Sequence, residues 1–315
     1  MTKIIILEND GGEMGNQLWN YISVFAYALE RGYSCENFSF FEYAQYFNVT
    51  PKSKIVSWLF FLPFRGHNKR RNSLRVRLYR FVYKLLIILP VTIFLKNRIV
   101  YSRDGVDGVY YLPPTIESTS KLSEQEHLKK TLFFSQVSGG VFRNSKGIEK
   151  HRVLIEQYFH PAPWVAKNIQ TFVSPLRARY KTLVGVHIRQ RDYAVFKDGK
   201  FTVSPERFCE VLNEYLVFSQ KKTEEVVFII ASDGYVDKKL FEVFNIEISN
   251  GSAGEDMFTL SLCDVVIGSD STFGYFSAYY GNIPHIVIKR EPIDWDYYRG
   301  KESYFINKYL TVMLA

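Results

Sequence analysis

Residues 3–7 (KIIIL) form a short, continuous apolar run, and such a run predicts a buried strand. A polar, glycine-containing stretch from Glu8 to Gly15 follows and reads as a loop. Leu18, Ile22, Phe25 and Leu29 then recur at helical spacing, with Gly32 as the stop. Strand, loop and helix in this order open an α/β domain. The same alternation returns later in the chain. Strands are predicted at Leu183–Ile188, Val226–Ile230, Val265–Ile267 and Ile286–Ile288. Helices are predicted between them at Pro205–Leu216, Asp256–Cys263 and Phe273–Tyr280. Strands alternating with helices imply a parallel sheet with right-handed crossovers. Between the two patterns, His160-Pro161-Ala162-Pro163-Trp164 reads as a linker or helix start, which divides the chain into 1–163 and 164–315.

Residues 51–103 have a different character. Trp58 to Phe64 is apolar and aromatic, and Arg65 to Lys84 carries eight basic residues. Leu74, Leu78, Phe81, Leu85 and Leu89 share one predicted helical face, with Arg77, Arg80 and Lys84 opposite. The apolar run Leu85–Leu95 is too short to span a bilayer and contains Pro90. Residues 104–180 show no single period.

Composition sharpens this picture at one point. A chain of 315 residues has room for two domains, and 47% hydrophobic with 23% charged residues argues against disorder. The net charge of +8 is local. Tyr43 to Arg103 holds thirteen Lys and Arg and no acid, leaving 27 basic against 32 acidic residues elsewhere. The basic segment therefore points to a local anionic partner: nucleic acid, membrane or acidic glycan. Apolar residues interleaved with Arg and Lys favour an interfacial helix over 65–95 on an anionic membrane. The competing reading is an insertion that packs its apolar face on its own domain. Nucleic acid is not expected, because the aromatic strands and Gly-rich basic loops of RNA-binding modules are not recognisable here. Cys35, Cys209 and Cys263 are widely spaced, which argues against a zinc site or disulfide framework and for a reducing compartment. Glu8 and Asp10 follow KIIIL at once, unlike a signal peptide. The expected location is cytoplasmic, peripheral on the inner face of the membrane.

In parallel sheets ligands bind beyond the carboxyl ends of the strands. Three polar clusters fall there: His187 to Tyr193 (HIRQRDY), Ala231-Ser232-Asp233, and Gly268 to Phe273 (GSDSTF). A hydroxyl-rich helix start binds phosphate through free N–H groups, and Arg189 adds a bidentate clamp for a diphosphate. Fixed cations there would stabilise a departing nucleotide. Asp233 could accept from a purine such as guanine, with His187 orienting it. Each cluster also has a plain structural reading: Ser271 and Thr272 as a helix cap, and Arg189 with an acid as an ion pair. Direct displacement needs a base for the acceptor hydroxyl, and Asp192 is the first candidate, with Glu13 and Asp198 as alternatives. Asp294-Trp295-Asp296 spells DxD but follows the last strand, and it reads as chance.

The chain resembles the α-1,2-fucosyltransferases, a glycosyltransferase family 11-like group within the GDP-fucose-dependent superfamily. Gly12-Glu13-Met14-Gly15-Asn16-Gln17-Leu18-Trp19-Asn20-Tyr21 is similar to G-x-x-G-N-Q-L/M-F-Q-Y, and HIRQRDY to H-x-R-R-G-D-Y. Phe228 to Asp233 is similar to a strand ending in S-D-D. Asp256 to Ala278 is similar to D-x-x-x-M-S-L-C-x-x-x-I-x-x-N-S-T-F-S-W-W-A-A. Gln190 and Arg191 stand at the pattern's second Arg and its Gly, Asp270 at its Asn, and Gly274 at the Ser that follows its Phe. About Thr50 to Ser120 lies outside the resemblance. The resemblance implies a GT-B-like α/β fold of two Rossmann-like domains facing a cleft. It implies inverting transfer of L-fucose from GDP-fucose to a glycan hydroxyl, of the galactoside α-1,2 type and without an essential metal. By the same resemblance Arg189 contacts the β-phosphate, and Arg191 can supply the second charge. His187 and Asp233 hold the guanine side, and Ser271, Thr272 and Phe273 line the phosphates. Gly12, Gly15, Asn16 and Gln17 form a cleft loop in the other domain. A different sugar nucleotide, or a non-catalytic transferase-like binder, is the alternative.

Overall fold

The computed structural model describes residues 2–8, 12–65, 74–101, 109–111, 131–135, 141–190, 202–288 and 291–300. The chain divides between Ala162 and Pro163 into two compact units.

The first unit is built on a parallel sheet of β1 (Lys3–Glu8), β2 (Ser34–Asn37), β3 (Ile99–Tyr101) and β5 (Thr131–Ser135), in the order β2-β1-β5-β3. β4 (Val109–Tyr111) and β6 (Val141–Arg143) form a separate parallel pair. β1 has buried residues at Ile4–Leu7, as a strand covered on both faces requires. β2 spells SCEN, an unpromising strand. Its buried Glu36 is tolerated because Lys3 Nζ lies 2.7 Å from Oε1 and the Lys52 amide donates to Oε2 at 3.1 Å.

Helix α1 (Met14–Glu30) begins within the predicted loop, so Gly15, Asn16 and Gln17 form its first turn. Gly12, at φ +79°, turns the chain into it, and Gln17 Nε2 donates to the Gly12 carbonyl at 3.0 Å. α1 is buried nearly all round rather than on one stripe, with Gln17, Asn20 and Ser23 inside; Leu29, on the predicted stripe, is only partly buried. It ends at Arg31, and Gly32 follows in the left-handed region that the sequence predicts for a stop.

The basic segment is helical. α2 (Leu74–Tyr83) runs through a π-type turn at Lys84–Ile88 into α3 (Leu89–Phe94). Its packing face is not the predicted Leu row. α2 buries Val76 and Tyr83 instead: the Tyr83 hydroxyl donates to the Leu7 carbonyl at 2.7 Å, and its ring packs on Phe41 and Phe60. Arg80 Nε donates to the buried Glu42 carboxylate at 2.5 Å. These polar anchors direct the opposite side outward. Leu74 is 83%, Leu78 57%, Phe81 60% and Phe94 78% exposed.

The second unit holds five parallel strands in the order β11-β10-β7-β8-β9. They are β7 (Thr182–Ile188), β8 (Val226–Ser232), β9 (Ile246–Ile248), β10 (Val265–Ser269) and β11 (His285–Ile288). The longer helices that accompany them are α4 (Pro163–Arg179), α5 (Pro205–Ser219), α6 (Ala253–Ser261) and α7 (Thr272–Gly281). Alternation along β7 and β8 serves two cores. Val184, Val186, Ile188, Phe228 and Ile230 pack with Phe208, Val211 and Leu212 of α5. Leu183, Val227 and Ile229 pack with Phe172, Val173 and Leu176 of α4. Each such side chain contributes roughly 1.5–3 kcal/mol on full burial. α6 starts three residues before the predicted Asp256, because Ser252 and Glu255 form a reciprocal capping box. Asp294 and Asp296 are structural: Asp294 caps the short helix Trp295–Tyr298, and Asp296 lies 3.1 Å from Arg299. Among the described residues no group of His, Cys, Asp or Glu could hold a metal ion, and no helix is long and apolar enough to cross a membrane.

Candidate functional site

In the second unit the chain runs from β7 outward to β8 and β9, then returns to the other side of β7 with β10 and β11. The strand order therefore reverses between β7 and β10, and a parallel sheet opens a crevice at that point. The predicted residues of this unit collect at the carboxyl edge around it. His187 is the penultimate residue of β7, and Arg189 follows the strand. Asp233 follows β8, and Ser271 to Phe273 follow β10.

The junction is tied together by the backbone. The Arg189 amide donates to Ser269 Oγ at 3.1 Å, which links the end of β7 to the end of β10. The Gln190 amide donates to Asp233 Oδ1 at 2.8 Å, which links β7 to β8. Gly268 makes the first approach possible, since a Cβ there would sit 2.6 Å from the His187 carbonyl oxygen. Gln190 turns toward the β8 side, where Nε2 donates to the Tyr235 carbonyl at 2.9 Å. A Cβ at Gly234 would collide with its Oε1 at 1.8 Å.

Arg189 Nη1 lies 3.1 Å from Asp233 Oδ2, and both side chains are partly exposed. The plain structural reading of this pair thus holds in the structure. It coexists with a site, because a guanidinium has five donors and a carboxylate oxygen two lone pairs. Ser271 is the N-cap of α7, its Oγ accepting from the Phe273 amide at 3.4 Å. The cap uses an acceptor lone pair and leaves the hydroxyl proton for an anion. Thr272 is the first residue of α7, where backbone N–H groups have no partner within the helix.

His187 is buried and stacks on Phe273, ring centroids 4.9 Å apart at 23°. Burial pushes its pKa down to about 3, and the Arg189 charge pushes the same way, so the ring is neutral. Its Nδ1 has no hydrogen-bond partner among the described residues. Gly274 stands next to it: a Cβ there would lie 3.4 Å from Nδ1 and 3.1 Å from Nε2 of His285. His285, on β11, is fully buried against the Tyr275 ring. Its pKa is likewise lowered to about 3, by burial first and by His187 second.

The structure thus brings together His187, Arg189, Asp233, Ser271, Thr272 and Phe273. Arg191, Asp192 and Asp198 lie outside the described residues. Glu13, Gly12, Gly15, Asn16 and Gln17 belong to the first unit; there Tyr43 donates its hydroxyl to Glu13 Oε2 at 2.9 Å. Ser269 lay inside the predicted GSDSTF cluster but was given no role of its own, and His285 was not among the predicted residues. Ser269 was legible as the first polar side chain after the Val265–Ile267 run, whereas His285 had no sequence signal because its role is packing.

Comparison with known proteins follows the same lines. Among solved structures, POFUT1 in complex with GDP-fucose aligns with a TM-score of 0.52 at 12% identity, covering 91% of this chain and 97% of that one. POFUT1 in complex with GDP aligns with a TM-score of 0.51 at 13% identity, covering 91% and 98%. At such identities the likeness speaks to the fold, a GT-B-like α/β architecture with parallel sheets. No curated protein matches. The family model for glycosyl transferase family 11 matches residues 151–309, just over half the chain and the whole strand-end cluster. The chain therefore belongs to glycosyl transferase family 11.

Proposed function

We propose that this glycosyltransferase moves L-fucose from GDP-fucose to a hydroxyl of a glycan acceptor, with inversion at the anomeric carbon. The observation that carries the reading is the convergence of Arg189, Asp233, the His187–Phe273 stack and the start of α7 at the reversal of strand order. Family membership supports it, as does the GDP-fucose bound by POFUT1.

Chemically, the acceptor oxygen attacks the anomeric carbon as the bond to the β-phosphate oxygen breaks, and GDP leaves with the electron pair. Arg189 and the N–H groups of α7 stabilise the charge that develops on the diphosphate, a role a metal would otherwise fill. Arg191 adds a second cation. His187, neutral and stacked, and Asp233 hold the guanine side. The acceptor proton goes to Asp192, with Glu13 and Asp198 as the alternative bases. An α-1,2 linkage to a galactoside follows from the sequence resemblance, and the product belongs to surface polysaccharide or oligosaccharide synthesis.

The exposed row Leu74, Leu78, Phe81 and Phe94 beside Arg77 and Lys84 supports peripheral attachment of 65–95 to an anionic membrane at the cytoplasmic face. Calorimetry with GDP, UDP and CDP tests the donor. GDP is expected to bind most tightly; a preference for UDP removes fucose, and no binding to any of the three sinks the enzyme reading. Methylation analysis of the product tests the linkage.

A further inference from the structure

The first unit holds a cavity of about 430 Å³, within the usual range for small-ligand sites. It opens at the carboxyl end of β1, next to Leu7 and Glu8. This is again the place where the strand order turns back, since β1 leads to β2 on one side and the later β5 lies on the other. Two sequence features with no common explanation meet there. Gln17, from the glycine-rich N-terminal motif, lines one side. The other side comes from the acid-free insertion: Arg77, Arg80, Phe81, Lys84 and Ile88 all line the cavity. Spacings of three, four and seven residues put these side chains on one helical strip.

The charges on this strip are not equivalent. Arg80 is held by the buried carboxylate of Glu42. Glu8 is the single carboxylate among the described lining residues, and it accepts from Ser135 Oγ at 2.6 Å. Arg77 and Lys84 make no ion pair with a carboxylate among the described residues, so the cavity wall carries two such cations against the one carboxylate of Glu8. Phe81 supplies an apolar ring of the kind that packs on the C–H face of a sugar, while the buried Phe41 closes the cavity wall behind it. Phe81 stands at the rim, mostly exposed, and leads onto the outward apolar row of Leu85 and Leu89.

We infer that this cavity is an acceptor subsite and that it selects an anionic glycan, one carrying a phosphate or carboxylate that pairs with Arg77 and Lys84. This rests on the transferase reading above and adds the substrate class. The anionic group can come from a free acidic or phosphorylated sugar, or from the phosphate of a lipid-linked glycan whose chain lies along Leu85 and Leu89.

The test uses the full chain and reads binding before turnover. Titrating galactose and galactose 1-phosphate, followed by NMR or calorimetry, is expected to show ~10-fold or greater preference for the phosphate ester, weakening as salt is raised. The double variant Arg77→Gln/Lys84→Gln changes two exposed side chains. It should abolish that preference while GDP binds as in the parent. Equal binding of the two sugars, no binding of either, or a preference retained by the double variant overturns the inference. GDP titration of the same samples keeps the two readings apart. Loss of GDP binding in the parent speaks against the transferase reading, not against the anionic subsite. A prenyl-diphosphate-linked galactose then distinguishes the sources: a further gain over galactose 1-phosphate supports the lipid-linked form, and equal affinity supports the free one.

Discussion

Both parallel sheets reverse their strand order beside their first strand, β1 in one and β7 in the other, yet they furnish their crevices differently. In the second unit the polar side chains come from strand ends and the first turn of α7, locked by backbone contacts such as Arg189 N to Ser269 Oγ. In the first unit the charged wall comes from α2, a helix set against the sheet through Tyr83 and Arg80. Strand ends are rigid, and their positions are dictated by the sheet. A helical wall can change its side chains without disturbing a sheet. Under the proposed function the difference suits a division of labour, with the nucleotide held by strand ends in one unit and the acceptor by a helical wall in the other.

That comparison can be broken first at Arg189. Arg189→Ala is expected to lower kcat by about 10²–10³-fold, the size of effect seen when a transition-state donor is removed. Its partly exposed ion pair contributes little to stability, so thermal unfolding should move slightly. Full transfer activity in this variant would remove the clamp role.

Acid stability probes the same unit. His187 and His285 have folded pKa values near 3, below the ordinary 6.5, so they favour the fold when neutral. Their contribution is complete above pH 6.5 and is lost as pH falls toward 3. Asp256 acts in the opposite sense: burial pushes its carboxyl up to about 7, so its contribution is largest below its ordinary 3.8 and is lost as pH rises through 7. Two histidines outweigh one aspartate, and stability should fall by a few kcal/mol between pH 7 and 4. Asp256→Asn should steepen that fall in denaturant titrations at each pH; an unchanged slope would show that the carboxyl does not oppose the histidines.

Smaller effects sharpen the contrast. Gly268→Ala forces a methyl against the His187 carbonyl and should cost about 1–3 kcal/mol in chemical denaturation, together with weaker GDP binding. In the first unit Leu85→Glu/Leu89→Glu alters exposed positions and should leave unfolding within about 0.5 kcal/mol of the parent. It should nevertheless release the chain from anionic vesicles in co-sedimentation. Retention on the vesicles would argue against contact through this row.

The same contrast governs what could be read from sequence. Strands β7, β8, β10 and β11 were legible because they are buried on both faces and spelled in Val, Ile and Leu, with turn signals between. The clusters at their ends were legible because position along such a strand implies position at the sheet edge. β2 was not, since SCEN becomes a buried strand only through Lys3 and Lys52, a tertiary compensation. β5, the central TLFFS, lay in a region without periodicity. The edge strand β9 is three residues long, too short to show a period. Of the predicted Leu row, Phe81 lines the cavity with Arg77, Arg80 and Lys84 rather than opposite them, and which face of α2 packs was decided by Tyr83 and Arg80, polar anchors that periodicity does not weigh. The N-terminal helix was legible from its apolar spacing, but it begins earlier than the glycines suggested.

The π-type turn at Lys84–Ile88 has a consequence for how this surface can evolve. Such a turn amounts to one extra residue in an α-helix. Deleting a single residue there would restore regular winding and leave Leu89 to Phe94 facing as before, because the wide turn already absorbs the extra residue. A one-codon deletion would thus take one side chain out of the helix while the outward apolar row keeps its direction. The rim of the cavity can in this way lose or gain a side chain without turning the rest of the helix.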